Sequence, residues 1–368
     1  VSPTDDPGEA GPVRRTRRRL LIGGVAGCAV AVLTLVIALA GAPQAGRRDN
    51  SGSATAAPTR APAVAGPASP SVRASSPPTD SAMVRSSATR PRPGWQPTVP
   101  IRAAFYYPWF PEAWRQAGMD PFTRYHPALG QYNGSSSSVL QAHLRAMRYA
   151  GMQAGIASWW GQGSRTDRRV RQLLDAAAGQ QFRWSVYHEG EGQGDPTVGQ
   201  LTADLTYLRD HYGSDPGFLR IDGRFVVFVY AQDHDGCAMA DRWKRANTVR
   251  AYIVLKVFAG YRTCAAQPDG WHQYGPAKDA SDQAPYSYSV SPGFWKATEG
   301  APRLARDVEG WRRAVRAMAA SRARFQLVTT FNEWGEGTSV EAAAEWASPS
   351  GMGRYLDVLH ETLGGAVS

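Results

Sequence analysis

Short runs of apolar, β-branched and aromatic residues alternate along the chain with longer stretches whose apolar positions recur every three to four residues. The short runs predict strands over residues 101–107, 155–159, 182–188, 225–230, 252–257, 271–274, 286–290 and 326–331. The longer patterns predict helices over 137–150, 167–178, 198–211, 237–245, 304–320 and 353–363. In the first of these, Val139, Leu140, Leu144, Met147 and Ala150 form one apolar stripe. Strands alternating with helices imply a parallel sheet. Eight strands in roughly 265 residues fit an α/β fold of the closed (β/α)8 TIM type, for which about 250 residues is usual. No clear helix follows the sixth or seventh strand. A doubly wound open sheet is the alternative, but no glycine-rich phosphate turn follows the first strand.

This patterned domain, residues 100–368, is preceded by three segments of different character. Residues 1–19 form a basic tail containing Arg14, Arg15, Arg17, Arg18 and Arg19. Residues 20–42 carry no charge, and at about 1.5 Å per residue a helix over them crosses the roughly 30 Å hydrocarbon layer. The arginines keep the N-terminal side cytoplasmic, which predicts a single-pass cell-membrane signal anchor with the domain outside. A cleaved secretory signal is the rival, since Ala38-Leu39-Ala40 resembles a cleavage site; the apolar run nevertheless exceeds the usual 7–15 residues or so. Either way the domain is exported. Residues 43–99 are rich in Ala, Ser, Pro, Thr and Arg without hydrophobic periodicity, which predicts a disordered linker.

Charge changes the picture little. The net +10 is concentrated upstream, where residues 1–99 carry 12 Lys+Arg against 5 Asp+Glu, leaving 29 against 26 for the remainder. The domain therefore has no basic face interleaved with aromatics, and nucleic acid is not an expected partner. Cys28 lies within the apolar run, leaving Cys237 and Cys264 in the domain. Outside the cytoplasm such a pair reads as one disulfide, with two unpaired buried thiols as the alternative. No Cys or His spacing suits a metal.

In a barrel the working groups stand at the C-terminal ends of strands. Here those ends read Phe105-Tyr106-Tyr107-Pro108-Trp109-Phe110, Ser158-Trp159-Trp160, Tyr187-His188-Glu189 and Phe331-Asn332-Glu333-Trp334-Gly335-Glu336. Aromatic rings stack on the C–H faces of sugars, while paired carboxylates move protons and stabilise an oxocarbenium-like transition state. Glu333 and Glu336 stand three residues apart, and glycines at 335 and 337 permit a tight turn that brings both to one cavity. Trp159 and Trp160 cannot both face inward if the strand continues, because side chains alternate.

Five blocks carry a resemblance in order along the domain. They are Phe105-Tyr106-Tyr107-Pro108-Trp109, His126-Pro127-Ala128-Leu129-Gly130-Gln131-Tyr132, Ala157-Ser158-Trp159-Trp160, Tyr187-His188-Glu189, and Phe331-Asn332-Glu333-Trp334-Gly335-Glu336-Gly337-Thr338 with Glu341. Residues 101–344 resemble glycoside hydrolase family 99, the endo-α-mannosidase and endo-α-mannanase group, and within it the bacterial family 71/99-like proteins. The resemblance implies a (β/α)8 barrel, a glycan substrate and no metal or organic cofactor. It also implies a retaining mechanism through a 1,2-anhydro sugar, with Glu333 as base on the sugar's 2-hydroxyl and Glu336 as general acid/base. Glu189, Asn332 and Trp334 are then expected to line the site, with Tyr107 and Trp159 or Trp160 shaping the donor pocket. Two departures fall within the site. The family pattern has a histidine where this chain has Gly335, and its His-Ile-Glu-Pro-Tyr run appears here as Tyr187-His188-Glu189-Gly190-Glu191. An alternative on the same barrel is a catalytically silent carbohydrate-binding or surface-polysaccharide assembly protein.

Overall fold

The structure, a computed structural model, describes residues 94–232 and 234–364. The predicted tail, membrane span and most of the linker lie outside these residues. Among the described residues no helix is long and apolar enough to cross a membrane.

Ten strands form in chain order: β1 (Ile101–Tyr106), β2 (Ala154–Trp159), β3 (Arg183–His188), β4 (Arg220–Ile221), β5 (Arg224–Val229), β6 (Tyr252–Lys256), β7 (Gly270–His272), β8 (Ala280–Gln283), β9 (Ser287–Val290) and β10 (Phe325–Val328). The helices are α1 (Ser137–Tyr149), α2 (Arg165–Ala176), α3 (Val198–Leu208), α4 (Cys237–Ala246), α5 (Val308–Ala320) and α6 (Arg354–Leu363). Eight strands pair in parallel in the order β7-β6-β5-β3-β2-β1-β10-β9, each matching one of the runs read from the sequence. As the pattern indicated, no α-helix follows β7, the sixth predicted strand; β9, the seventh, is followed by α5, contrary to that reading. Two short strands escaped it. β4 turns back on β5, and β8 runs antiparallel to β9.

The predicted barrel is closed, whereas the observed ring has one interruption, because β7 and β9 share no ladder. β8 is the physical reason: it takes the edge of β9 that β7 would otherwise pair with. The Ser289 hydroxyl, donating to the carbonyl of Gln273 at 2.7 Å, bridges the break.

Strand alternation divides the core in two. Ile101, Ala103, Phe105, Ala154, Ile156, Val226, Phe228, Val254, Phe325 and Leu327 fill the barrel interior. The intervening residues, among them Tyr106, Trp159, Val186, Val227 and Leu255, pack outward in the layer shared with the helices. The stripe on α1 behaves as its spacing predicts, with Leu140, Leu144 and Met147 buried. Local capping fits the sequence as well: Ser164 accepts from the amide of Asp167 to start α2, and Thr197 with Gln200 forms a capping box on α3. Cys237, the first residue of α4, forms a disulfide with Cys264 in the loop after β6.

Candidate active site

Continuing the interior parity of each strand by one or two residues places Tyr107 beyond β1, Trp160 beyond β2, Glu189 beyond β3, Tyr230 beyond β5 and Tyr274 beyond β7. All five line one cleft at the C-terminal end of the barrel, together with Glu333, Gly335 and Glu336 from the loop after β10. Trp109, Gln116 and Phe122, from the long connection between β1 and α1, form a further wall, and Lys296 closes another side.

The loop carrying the paired carboxylates is tied back on itself. The Glu333 amide donates to Oγ1 of Thr330 at 2.9 Å, the Thr338 amide to the carbonyl of Glu333 at 3.2 Å, and the Val340 amide to the carbonyl of Thr330 at 3.0 Å. Gly337 adopts a φ of 64°, which glycine accepts without steric cost. A buried network lies behind the loop. Glu341 accepts from Tyr132 at 2.8 Å and from the Trp334 indole at 3.1 Å through one oxygen, and faces Nε2 of His143 at 3.0 Å through the other. His143 in turn meets the hydroxyl of Tyr106 at 3.0 Å, so the network runs from the loop into β1 and α1.

Glu333 and Glu336 are each 8% exposed. Burial pushes Glu333 well above the usual carboxylate range, with the charge of Glu336 adding to it and Lys296 opposing. Burial raises Glu336 as well, against the pull of Lys296 and of the Tyr274 hydroxyl, which donates to Oε2 at 3.1 Å. Glu189 is pushed up to about 8, chiefly by burial and then by the charge of Glu336, while a hydrogen bond with Ser158 works the other way. One oxygen of Glu189 and one of Glu333 are buried without a hydrogen-bond partner. Buried polar atoms are ordinarily satisfied, so these two oxygens are exceptions among the residues that line the cleft.

Of the residues singled out from the sequence, Glu333, Glu336, Glu189, Tyr107 and Trp160 thus come together. Three do not line the cleft. Trp159 faces outward and donates to Asp167 of α2 at 2.8 Å, as the parity of β2 requires. Asn332 is fully buried and clamps the end of β1, accepting from the Tyr107 amide at 2.7 Å and donating to its carbonyl at 3.0 Å. Trp334 is also fully buried, in the network beneath the loop, where it stacks on Trp346. Their place is behind the wall.

Sequence reasoning missed Lys296, Tyr274, Tyr230, Phe122 and Gln116. Tyr274 and Tyr230 follow from strand parity once the strand ends are known. Lys296 gives no such signal. It sits on an irregular segment held against the loop after β10 by Trp295 and Ala297, whose amides donate to the carbonyls of Glu336 and Gly335 at 2.9 and 2.8 Å. Among the described residues, Glu191, Asp195 and Asp235 are close enough to share a cation. Arg242 already bridges two of them, reaching Glu191 and, at 2.8 Å, Asp195.

Residues 101–249 match the family model described as Glycosyl hydrolase family 99. That match is to a part of the chain shorter than half its length. A mouse glycoprotein endo-alpha-1,2-mannosidase-like protein is 23% identical over 319 residues, covering 73% of this chain and 66% of that protein. A Xenopus laevis glycoprotein endo-alpha-1,2-mannosidase is 23% identical over 273 residues, covering 61% of this chain and 59% of its own length. The chain thus spans about two thirds or less of these relatives. Among solved structures, the GH99 endo-alpha-mannosidase of Bacteroides thetaiotaomicron superposes with a TM-score of 0.58 at 19% identity, covering 73% of this chain and 97% of that one. A glycoside hydrolase-like protein gives 0.53 at 15% identity, covering 74% and 97%. At these identities the structural likeness shows the barrel fold alone.

Proposed function

We propose that this domain is a retaining glycoside hydrolase that cleaves α-linked, mannose-containing glycans outside the cytoplasm, tethered to the membrane by residues 20–42. The observation that carries the reading is the meeting of Glu333 and Glu336 in one aromatic-walled cleft at the C-terminal end of the barrel, with an orphaned buried oxygen on Glu333. The names of the similar proteins support a mannose-containing substrate. Endo action is supported by the names of the same proteins.

In the first step Glu333 takes the proton of the sugar's 2-hydroxyl, and O2 attacks the anomeric carbon as the glycosidic C–O bond breaks. Glu336 delivers its proton to the departing oxygen. In the second step Glu336 takes a proton from water, whose oxygen attacks the anomeric carbon; the C1–O2 bond opens and O2 recovers the proton held by Glu333. Each carboxyl ends as it began.

This sequence needs the proton on Glu336, and burial raises both carboxyls of the pair, which titrates jointly. A 2-hydroxyl donating to Glu333 favours its ionised form, and a glycosidic oxygen accepting from Glu336 favours its protonated form.

The test is release of oligosaccharides from a panel of α-mannans and other α-linked surface glycans, followed by mass spectrometry. Release by the full chain that disappears in both Glu333→Gln and Glu336→Gln, with thermal unfolding unchanged, supports the reading. Near-wild-type release by either variant overturns the assignment of the pair. Glycan binding of equal strength in wild type and Glu336→Gln, with no product from either, would instead establish the silent binding protein.

A further inference from the structure

Gly335 stands between the two carboxylates, yet its backbone is outside the left-handed region, so conformation alone does not demand glycine. Space does. A Cβ at this position would lie 2.6 Å from Cε1 and 2.8 Å from Cδ1 of Phe122, and 3.2 Å from Oε1 of Glu333. Carbon atoms do not approach so closely, and the ring has little room to retreat. Phe122 is 4% exposed, and its amide donates to the carbonyl of Trp114 at 2.7 Å. Both residues line the cleft. The ring of Phe122 therefore occupies the volume that a side chain at 335 would take, and turns an apolar edge into the cleft beside Glu333.

We propose that Phe122 is a specificity-determining residue, acting with Gly335 as a single element. This proposal rests on the reading of the cleft as a sugar site and deepens it. A polar side chain at 335 would offer a sugar hydroxyl a hydrogen-bond partner; the Phe122 edge offers none. A ring seated against it is selected for a C–H face or a deoxy position there, and a hydroxyl pointed at it is left unsatisfied. An apolar wall rejects an added hydroxyl only moderately, so discrimination of roughly ten- to a hundredfold is expected.

Two measurements on the full chain test the proposal and separate its failure from that of the glycosidase reading. The first is thermal unfolding of Gly335→Ala, Phe122→Ala and the double variant, which requires no substrate. Gly335→Ala should lower the midpoint by several degrees, and the same change should cost nothing further once Phe122 is Ala. Wild-type stability of Gly335→Ala, or strict additivity in the double variant, would overturn the pairing. The second is calorimetric binding of α-linked mannose disaccharides, each lacking one hydroxyl, to wild type and to the Phe122→Ala/Gly335→His exchange. The exchange should alter the ratio of affinities within the set by tenfold or more at one hydroxyl position. A uniform change across the set would overturn the specificity role even if every sugar is still cleaved. Coupled stabilities without binding of any sugar would overturn the sugar-site reading and the specificity role with it.

Discussion

Tyr274 donates its hydroxyl to Oε2 of Glu336 across 3.1 Å, joining the strand beside the break in the barrel to the carboxylate assigned the acid/base role. The tyrosine gives the ionised carboxylate a partner and works against the burial that drives Glu336 upward.

Tyr274→Phe removes that partner and leaves the ring in place. The Glu336 carboxyl should then titrate at higher pH, so the limb on which kcat/KM falls with rising pH should move upward. A hydrogen bond to a charged group contributes about 1.5–3 kcal/mol, which sets a loss of roughly ten- to a hundredfold in kcat/KM below that limb. A pH–rate profile of wild type and variant checks both statements; an unmoved basic limb would count against the role given to Tyr274.

Glu189 is one of the buried carboxyls that make stability change with pH. Its native pKa of about 8 lies above the ordinary carboxylate value, so the folded state binds more protons than the unfolded state between those limits. Stability is therefore greatest at the acidic end of that window and declines as pH rises through about 8. The contribution is on the order of a few kcal/mol. Glu189→Gln should flatten the decline, which thermal midpoints between pH 5 and 9 would reveal. A decline of equal steepness in the variant would contradict the assignment.

Glu341 holds Tyr132, His143 and Trp334 together beneath the loop that carries Glu333 and Glu336. Replacing it with Ala leaves three buried polar groups short of a partner. Leaving a buried donor unsatisfied costs about 1–3 kcal/mol. Denaturant unfolding should show a loss of that size, with a change in the near-ultraviolet signal of the packed tryptophans. A loss below 1 kcal/mol would mean the network tolerates the gap.

The Cys237–Cys264 disulfide closes a loop with a sequence separation of 27 residues. Restricting the unfolded chain over such a loop stabilises the fold by about 3–4 kcal/mol in the chain-entropy view. The Cys237→Ser/Cys264→Ser chain should unfold at correspondingly lower denaturant. Peptide mapping after alkylation without reductant should find neither cysteine modified in wild type, and modification of both would refute the bridge.

The eight parallel strands were legible because each is a compact apolar or aromatic run, and six helices because their apolar positions fall on one face. β4 and β8 were not. The first is two residues long, and β8 has the polar sequence Ala280-Ser281-Asp282-Gln283, so neither presents a buried face to read. The interruption between β7 and β9 followed from the same omission. Within the site, alternation on β2 separates Trp159 from Trp160 once the strand is known to reach Trp159. Asn332 and Trp334 kept the composition of a binding loop but turned into the protein, because a tight loop has no period from which direction can be inferred. Lys296 and Phe122 come from irregular segments and meet the carboxylates only through the folding of distant chain.

The contact between Phe122 and Gly335 also constrains the order in which this site can change over generations. A coding change at a glycine codon adds at least a Cβ, and here the first carbon added meets the Phe122 ring. Substitution at position 335 is thus penalised while Phe122 stands. A lineage moving between a bare and a side-chain-bearing loop loses least stability by passing first through a smaller residue at 122, so history at one position is biased by the other.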